Sequence, residues 1–307
     1  MKVTVTGSTG LIGSRLVRRL RERGDEVTVL SRDPERAGEA PGVEAVVWDA
    51  IAGPPPAGAL AGRDGILHLA GETVARRWTG EAKRAIRDSR VLGTRNLVAG
   101  LRAAQPRPPV LVCASAAGYY GPRGDEPIDE SARPGADFLA GVCVEWEREA
   151  TAAAQLGMRV VNVRTGVVLD RDGGALARML APFRAGLGGP VAGGRHYMPW
   201  IHLDDVAGIY LAALARDPWS GPINATAPAP ATNREFSSAL GRVLGRPAVV
   251  PLPGLALRVL LGEMAQVVVS GQRALPRRAQ QLGYEFAHPQ LEEALRSALR
   301  LSPGATG

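Results

Sequence analysis

The sequence predicts an α/β protein: a doubly wound parallel sheet with helices on both faces and a smaller C-terminal substrate or capping region. Three observations predict it. Strand and helix patterns alternate over the first two thirds of the 307 residues. Three glycines at a spacing of three, Gly7, Gly10 and Gly13, separate the first strand pattern from the first helix pattern. After Pro247 the pattern breaks into short helical stretches interrupted by Pro251, Pro253, Pro276 and Pro289.

Val3–Thr6 alternates apolar and polar side chains and reads as a strand. Leu11–Arg23 places Leu11, Leu16, Val17 and Leu20 at helical spacing, and Gly24 stops it. Glu26–Ser31, Glu44–Val47 and Gly65–Leu69 read as strands, and the proline-rich Gly53–Pro56 as a surface loop. A helix runs from about Thr79 to Ala104, followed by the strand Val110–Ala114. A further helix covers about Leu139–Leu156 and leads to the strand Met158–Arg164. Strands joined by crossover helices must be parallel. Leu203–Ala215 and Asn233–Leu244 read as helices and Asn224–Thr226 as a short strand. The reading divides the chain into a dinucleotide-binding domain over 1–245, a small helical domain over 246–300 and a mobile tail over 301–307.

Composition excludes several classes. No apolar run reaches bilayer-spanning length. The start leads into a strand without a secretory pattern, and two cysteines, Cys113 and Cys143, make no disulfide framework. The chain therefore reads as cytoplasmic, with no membrane partner. The net charge is +7, yet the charges are scattered and no aromatic residues interleave them, which argues against nucleic acid. Of the 37 basic side chains 35 are arginine, Lys2 and Lys83 being the exceptions. Phosphate and an acidic substrate are economical partners for some of those arginines.

The glycine spacing fits a dinucleotide. Gly7 makes the tight turn, Gly10 leaves room for a phosphate, and Gly13 lets the helix approach the sheet. Gly7, Ser8, Thr9, Gly10, Leu11, Ile12 and Gly13 are the candidate loop, with helix N–H groups facing the anion. This is a Rossmann-type arrangement. The second strand ends in Ser31-Arg32, where an acidic residue would select NAD. A hydroxyl and a guanidinium suit a 2′-phosphate instead, so the expected cofactor is NADP (NADPH). Asp33 next door weakens that field. Asp49 either accepts from an adenine amino group or caps a turn. Leu69, Ala70 and Gly71 allow ribose and phosphate to cross the strand ends. His68 reads as a core histidine satisfied by backbone.

These residues resemble the extended short-chain dehydrogenase/reductase superfamily. The resemblance rests on Thr6-Gly7-Ser8-Thr9-Gly10-Leu11-Ile12-Gly13, Leu69-Ala70-Gly71, Gly93-Thr94-Arg95-Asn96-Leu97, Ser115 with Tyr120-Gly121, and Trp200-Ile201-His202-Leu203-Asp204-Asp205-Val206. More narrowly, His68-Leu69-Ala70-Gly71-Glu72, Arg77-Trp78-Thr79 and Ser89-Arg90 are similar to an atypical epimerase-family subgroup. Leu261-Gly262-Glu263-Met264, Gly283-Tyr284-Glu285-Phe286 and Glu292-Glu293-Ala294-Leu295 resemble the small domain appended to it. The resemblance implies that Glu72, Arg90 and Arg164 also line the cofactor, Arg164 at a strand end beside the nicotinamide.

The resemblance breaks in the catalytic centre. The superfamily's tyrosine and lysine positions align with Phe138 and Val142, which carry neither proton nor charge. No lysine lies near residue 142 in sequence. The catalytic hydroxyl position aligns with Ala116, leaving Ser115 one residue early. Candidate catalytic groups are Ser115, Tyr119, Tyr120 and His196, with Arg90 able to stabilise a phenolate. Arg195, Trp200 and His202 are the candidate substrate pocket, under a loop hinged at Gly193-Gly194. His202 with Asp204-Asp205 could suggest a metal, but an N-cap by Asp204 or Asp205 is preferred, so no metal is expected. Glu145 and Glu147 read as solvated helix face.

Two functions stay open. One is an NADP(H)-dependent oxidoreductase or epimerase acting on an unknown small polar substrate. The other is a non-catalytic NADP(H)-binding protein that senses redox state or regulates a partner.

Overall fold

The computed structural model describes residues 1–38 and 41–301, so the expected tail lies, from residue 302 on, outside the described residues. The amino-terminal elements are β1 (Lys2–Thr6), α1 (Leu11–Glu22), β2 (Glu26–Ser31), α2 (Pro34–Ala37), β3 (Val43–Val47) and β4 (Gly65–His68). Next come α3 (Gly80–Ala103), β5 (Val110–Ala116), β6 (Pro127–Ile128), α4 (Phe138–Thr151), β7 (Arg159–Thr165) and β8 (Val167–Leu169). Then follow α5 (Gly174–Arg184), β9 (Tyr197–Met198), β10 (Trp200–His202), α6 (Leu203–Ala215), β11 (Gly221–Ala225), β12 (Ala231–Thr232) and α7 (Asn233–Leu244). The last elements are α8 (Gly254–Leu261), α9 (Ala265–Val269), β13 (Arg273–Ala274), α10 (Arg277–Gln281) and α11 (Leu291–Ala298).

Seven strands form one sheet in the order β11-β7-β5-β4-β1-β2-β3. Each neighbouring pair is parallel, with Val5 opposite both Val29 of β2 and Leu67 of β4. The order reverses between β1 and β4, and a crevice opens at the carboxyl ends of strands on either side of such a reversal. The buried β1 side chains Val3 and Val5 join Leu16, Val17 and Leu20 of α1 in a core that continues into α6. Burying each such aliphatic side chain is worth roughly 1.5–3 kcal/mol. On the opposite face Leu97, Val98 and Leu101 of α3 meet Trp146 and Ala150 of α4. The sheet is thus covered on both sides, as the doubly wound reading requires.

The later residues build over the carboxyl edge. β8 pairs with β10, β9 with β12, and β13 with β6. Leu295 and Ala298 of α11 pack with Phe236 and Leu240 of α7, and Tyr284 packs against Trp219 at 6.1 Å between ring centroids. Among the described residues no helix is long and apolar enough to cross a membrane.

Candidate functional site

The turn after β1 separates the roles of its three glycines. Gly7 sits at φ +69°, and a Cβ there would lie 2.7 Å from the Leu69 backbone. A Cβ on Gly13 would lie 2.1 Å from the Gly7 carbonyl oxygen. Those two glycines are therefore required by the fold itself. Gly10 has extended backbone, φ −79° and ψ 168°, as the N-cap of α1, and a Cβ there would meet only the Gly7 oxygen, at 3.3 Å. No side chain caps α1. Its first-turn N–H groups stay open to an anion. The Ser8 hydroxyl in the same turn is buried without a partner. An orphan hydroxyl, open helix N–H groups and a glycine facing the crevice fit a pyrophosphate.

At the end of β2 the Ser31 hydroxyl donates to the Asp33 carbonyl oxygen (3.0 Å) and accepts from the Asp33 N–H (3.1 Å). The Asp33 carboxylate turns away to cap α2, accepting from the Arg36 N–H at 3.1 Å. Arg32 is left with a side chain 70% exposed and its guanidinium 3.5 Å from Glu72. Asp49 accepts from the Ile51 N–H at 3.1 Å. That is the turn-capping alternative.

At the end of β4 the Thr6 hydroxyl accepts from the N–H groups of Leu69 and Ala70, both at 3.1 Å. Its own proton then goes to Nδ1 of His68, 2.7 Å away. Nε2 of His68 consequently carries the ring proton and donates to the Thr94 hydroxyl at 3.0 Å. Burial pushes the His68 pKa down to about 4, so the ring is neutral. His68 is a core histidine as expected, but two threonine hydroxyls satisfy it rather than backbone. Beyond it, Gly71 lies against the guanidinium of Arg90, and the Glu72 N–H donates to the Ser89 hydroxyl at 3.0 Å.

Two of the expected catalytic hydroxyls are engaged by other side chains. Ser115 is buried and donates to Glu147 at 2.6 Å. Arg164 is also buried, and its Nε and Nη2 each reach a Glu147 oxygen at 2.8 Å. Its Nη1 donates to the Tyr120 hydroxyl at 3.0 Å, and that hydroxyl donates to Asn224 at 2.6 Å. Burial pushes the Tyr120 phenol up to about 12. The Tyr119 ring lies over the same guanidinium, 3.5 Å from its centroid. Ser115, Tyr119, Tyr120 and Arg164 therefore form a structural cluster at β5, β7 and β11. Strand β7 lies three positions from β1 in the sheet, roughly 14 Å at the usual strand spacing. The reading of Arg164 as a cofactor ligand is corrected: its charge is committed to Glu147. Glu147, expected on a solvated helix face, is buried as its partner.

Phe138 and Val142 are the first residue and a buried residue of α4. Phe138 meets Trp78 edge-on at 5.2 Å, and the Lys83 ammonium lies 5.2 Å from its ring centroid. Lys83 is paired with Glu263. Tertiary structure thus brings the one lysine of α3 to the Phe138 position, which sequence distance hid.

The substrate-pocket candidates divide. Arg195 is exposed. His196 has Nε2 buried without a partner, and burial lowers its pKa. Trp200 is a core residue, 1% exposed, donating its indole N–H to the Ala229 oxygen at 3.0 Å. Its placement in a pocket is corrected. His202 is buried and is itself the N-cap of α6, accepting from the Asp204 N–H at 3.0 Å. The cap therefore falls two or three residues earlier than expected. Burial and the neighbouring His288 ring, 3.8 Å away, push the His202 pKa down to about 4. Asp204 pairs with Arg15 and Arg19 from α1, while Asp205 accepts from the N–H groups of Ala287 (2.7 Å) and His288 (3.0 Å). His202, Asp204 and His288 bring potential metal ligands within 4.8 Å, but ion pairs and the cap already engage two of them. Sequence reasoning missed Arg273, whose Nε is buried without a partner and whose guanidinium lies 5.2 Å from the Tyr197 centroid. Only its place beside a proline-broken stretch marked it.

Residues 3–224 match the model of the NAD dependent epimerase/dehydratase family. The chain belongs to that family. Residues 252–298 match a domain of unknown function, so the resemblance drawn from the motifs is borne out at both ends. The chloroplastic epimerase family protein SDR39U1 homolog of Arabidopsis thaliana is 40% identical, covering 98% of this chain and 87% of that protein. The crystal structure of human epimerase family protein SDR39U1 with NADPH is 38% identical, with a TM-score of 0.87, covering 98% of this chain and all of that one. The nucleoside-diphosphate sugar epimerase of Corynebacterium glutamicum is 34% identical, TM-score 0.78, covering 97% of this chain and 58% of that one. The two solved relatives share the fold of this chain's Rossmann-like sheet.

Proposed function

We propose that this chain is an NADP(H)-dependent oxidoreductase or epimerase acting on a small polar substrate, in a site without the superfamily's tyrosine and lysine. The observation that carries the reading is the open turn at Gly10 with the exposed Arg32 at the end of the next strand. The human relative's NADPH supports the same cofactor here. The α1 N–H groups and the Ser8 hydroxyl would hold the pyrophosphate, and Arg32 the 2′-phosphate. Bound NADPH supplies a hydride. The residues from Leu69 to Gly71 keep that half of the crevice free of bulky side chains. A cytoplasmic setting belongs to this reading, supported by two buried, unpaired cysteines.

The second reading, a non-catalytic NADP(H)-binding protein, is favoured by one observation. Phe138 has no proton to give, and Tyr120 is tied to Arg164 and Asn224. Titration with NADPH and NADH by cofactor fluorescence tests the shared premise. Arg32→Ala should weaken NADPH by about tenfold or more, the loss of a charge-assisted phosphate contact, and leave NADH unchanged. Equal affinity for both cofactors, untouched by the substitution, sinks the NADP assignment. NADPH oxidation across a panel of aldehydes, quinones and sugar nucleotides then separates enzyme from binder.

A further inference from the structure

Several buried or half-buried arginines are held by named partners. Arg164 has Glu147, and Arg15 and Arg19 share Asp204. Arg159 donates to the carbonyl oxygens of Ala213, Leu214 and Trp219, and Arg107 to those of Leu101, Arg102 and Leu156. Arg90 is held by far less. Among the described residues it has no carboxylate within ion-pairing distance and makes one hydrogen bond, from Nη1 to the Ile86 oxygen at 3.1 Å. Its remaining fork is unpaired.

The setting is a slot. A Cβ on Gly71 would lie 3.1 Å from Cζ, 3.3 Å from Nη2 and 3.4 Å from Nη1, so the guanidinium lies face-on against that glycine. The Trp146 ring lies on another side, 5.2 Å from Cζ to the centroid. Asp88, the nearest acid along the chain, pairs with Arg87, and Glu72, beside Gly71, turns its carboxylate to Arg32. Burial lowers the proton affinity of Arg90, the sign of a charge held with too little compensation. A half-buried cation whose remaining donors have no protein partner and are still reached by solvent is open to an anion.

Its place in the sheet says which anion. Arg32 follows β2, on one side of the glycine turn; Arg90 faces Gly71, after β4, on the other side of the order reversal. Resting on the dinucleotide reading above, the turn and Arg32 already answer the cofactor's phosphates. We propose that Arg90, expected from the resemblance to line the cofactor, is instead a second anion-binding arginine, and that it takes a carboxylate or phosphate group of the substrate. Its planar fork suits two oxygens of one such group, and its wall of Gly71 and Trp146 admits a flat one.

Calorimetric titration of NADPH-saturated protein with oxalate, and separately with inorganic phosphate, at constant ionic strength tests this. Saturation keeps the probes off the glycine turn. The wild type should bind one of the two, which identifies the acid group. Arg90→Gln should weaken that binding by about tenfold or more while NADPH affinity stays within about threefold, and Arg90→Lys should retain part of it. Thermal unfolding of the ligand-free protein gives an independent readout. Arg90→Met should leave the melting temperature unchanged or raise it, whereas a purely structural arginine would lower it. Failure of both anions to bind, equal binding by wild type and Arg90→Gln, or a tenfold loss of NADPH in Arg90→Gln would each overturn the proposal. Should the wild type bind no NADPH, the dinucleotide reading falls, and the same anion titrations without cofactor still judge Arg90.

Discussion

Replacing Gly10 by alanine separates what the glycine turn does for the fold from what it does for a ligand. The backbone at Gly10, φ −79° and ψ 168°, is open to any residue. The added methyl meets only the Gly7 oxygen, at 3.3 Å, a contact relieved by a few tenths of an ångström. Alanine is a poor N-cap, so the total cost to folding is about 1 kcal/mol. At Gly13 the same methyl would sit 2.1 Å from a backbone oxygen, more than about 1 Å inside contact, with no side chain able to yield. At Gly7 the left-handed backbone alone costs about 1–2 kcal/mol, before the clash with Leu69. Gly7→Ala and Gly13→Ala should therefore destabilise by roughly 3 kcal/mol or more. Gly10→Ala should fold and yet lose NADPH affinity about ten- to hundredfold, because the methyl stands where a phosphate approaches. Chemical denaturation and fluorescence titration on the three variants measure both quantities. Wild-type NADPH affinity in Gly10→Ala would refute the assignment of that glycine to the ligand. Unfolding of Gly10→Ala to the extent of Gly13→Ala would refute the separation of roles.

Two further outcomes follow from the buried charges. Glu147→Gln strands the Arg164 guanidinium and should cost about 3 kcal/mol in urea denaturation, whereas Glu147→Leu with Arg164→Met together should cost much less; a loss below about 1 kcal/mol for the single change would show the pair to be idle. His68 and His202, both pushed down to about 4 from 6.5, are neutral when folded and take up protons on unfolding. Their contribution is complete above about pH 6.5 and is lost as pH falls toward 4, so stability should drop over that window, and His68→Gln with His202→Asn should flatten the slope. A slope unchanged by both substitutions would assign the acid sensitivity to other groups.

The residues that could be read along the chain were those whose role is local. Gly7, Gly10 and Gly13 act within one strand–turn–helix unit, and Arg32 follows from its place at a strand end. The misread residues were those whose partners lie far away in sequence. Glu147 on α4 looks solvated until β7 brings Arg164 to it. Ser115 and Tyr120 give no sign in sequence of their partners, Glu147 for the serine and Arg164 with Asn224 for the tyrosine. Trp200 belongs to a core assembled from α5, α7 and α11, and His202 caps the helix that its neighbours were expected to cap.

By itself the sequence determined the layered α/β class, the family and the dinucleotide turn, because periodicity, glycine spacing and residue type are properties of short segments. The tertiary structure alone decided which charges are spent and which are free. Arg164 and Arg90 are alike on paper; one faces a buried carboxylate and the other a glycine, and only the packing of α3 and α4 over the sheet distinguishes them, since the energy of a charge is set by what surrounds it.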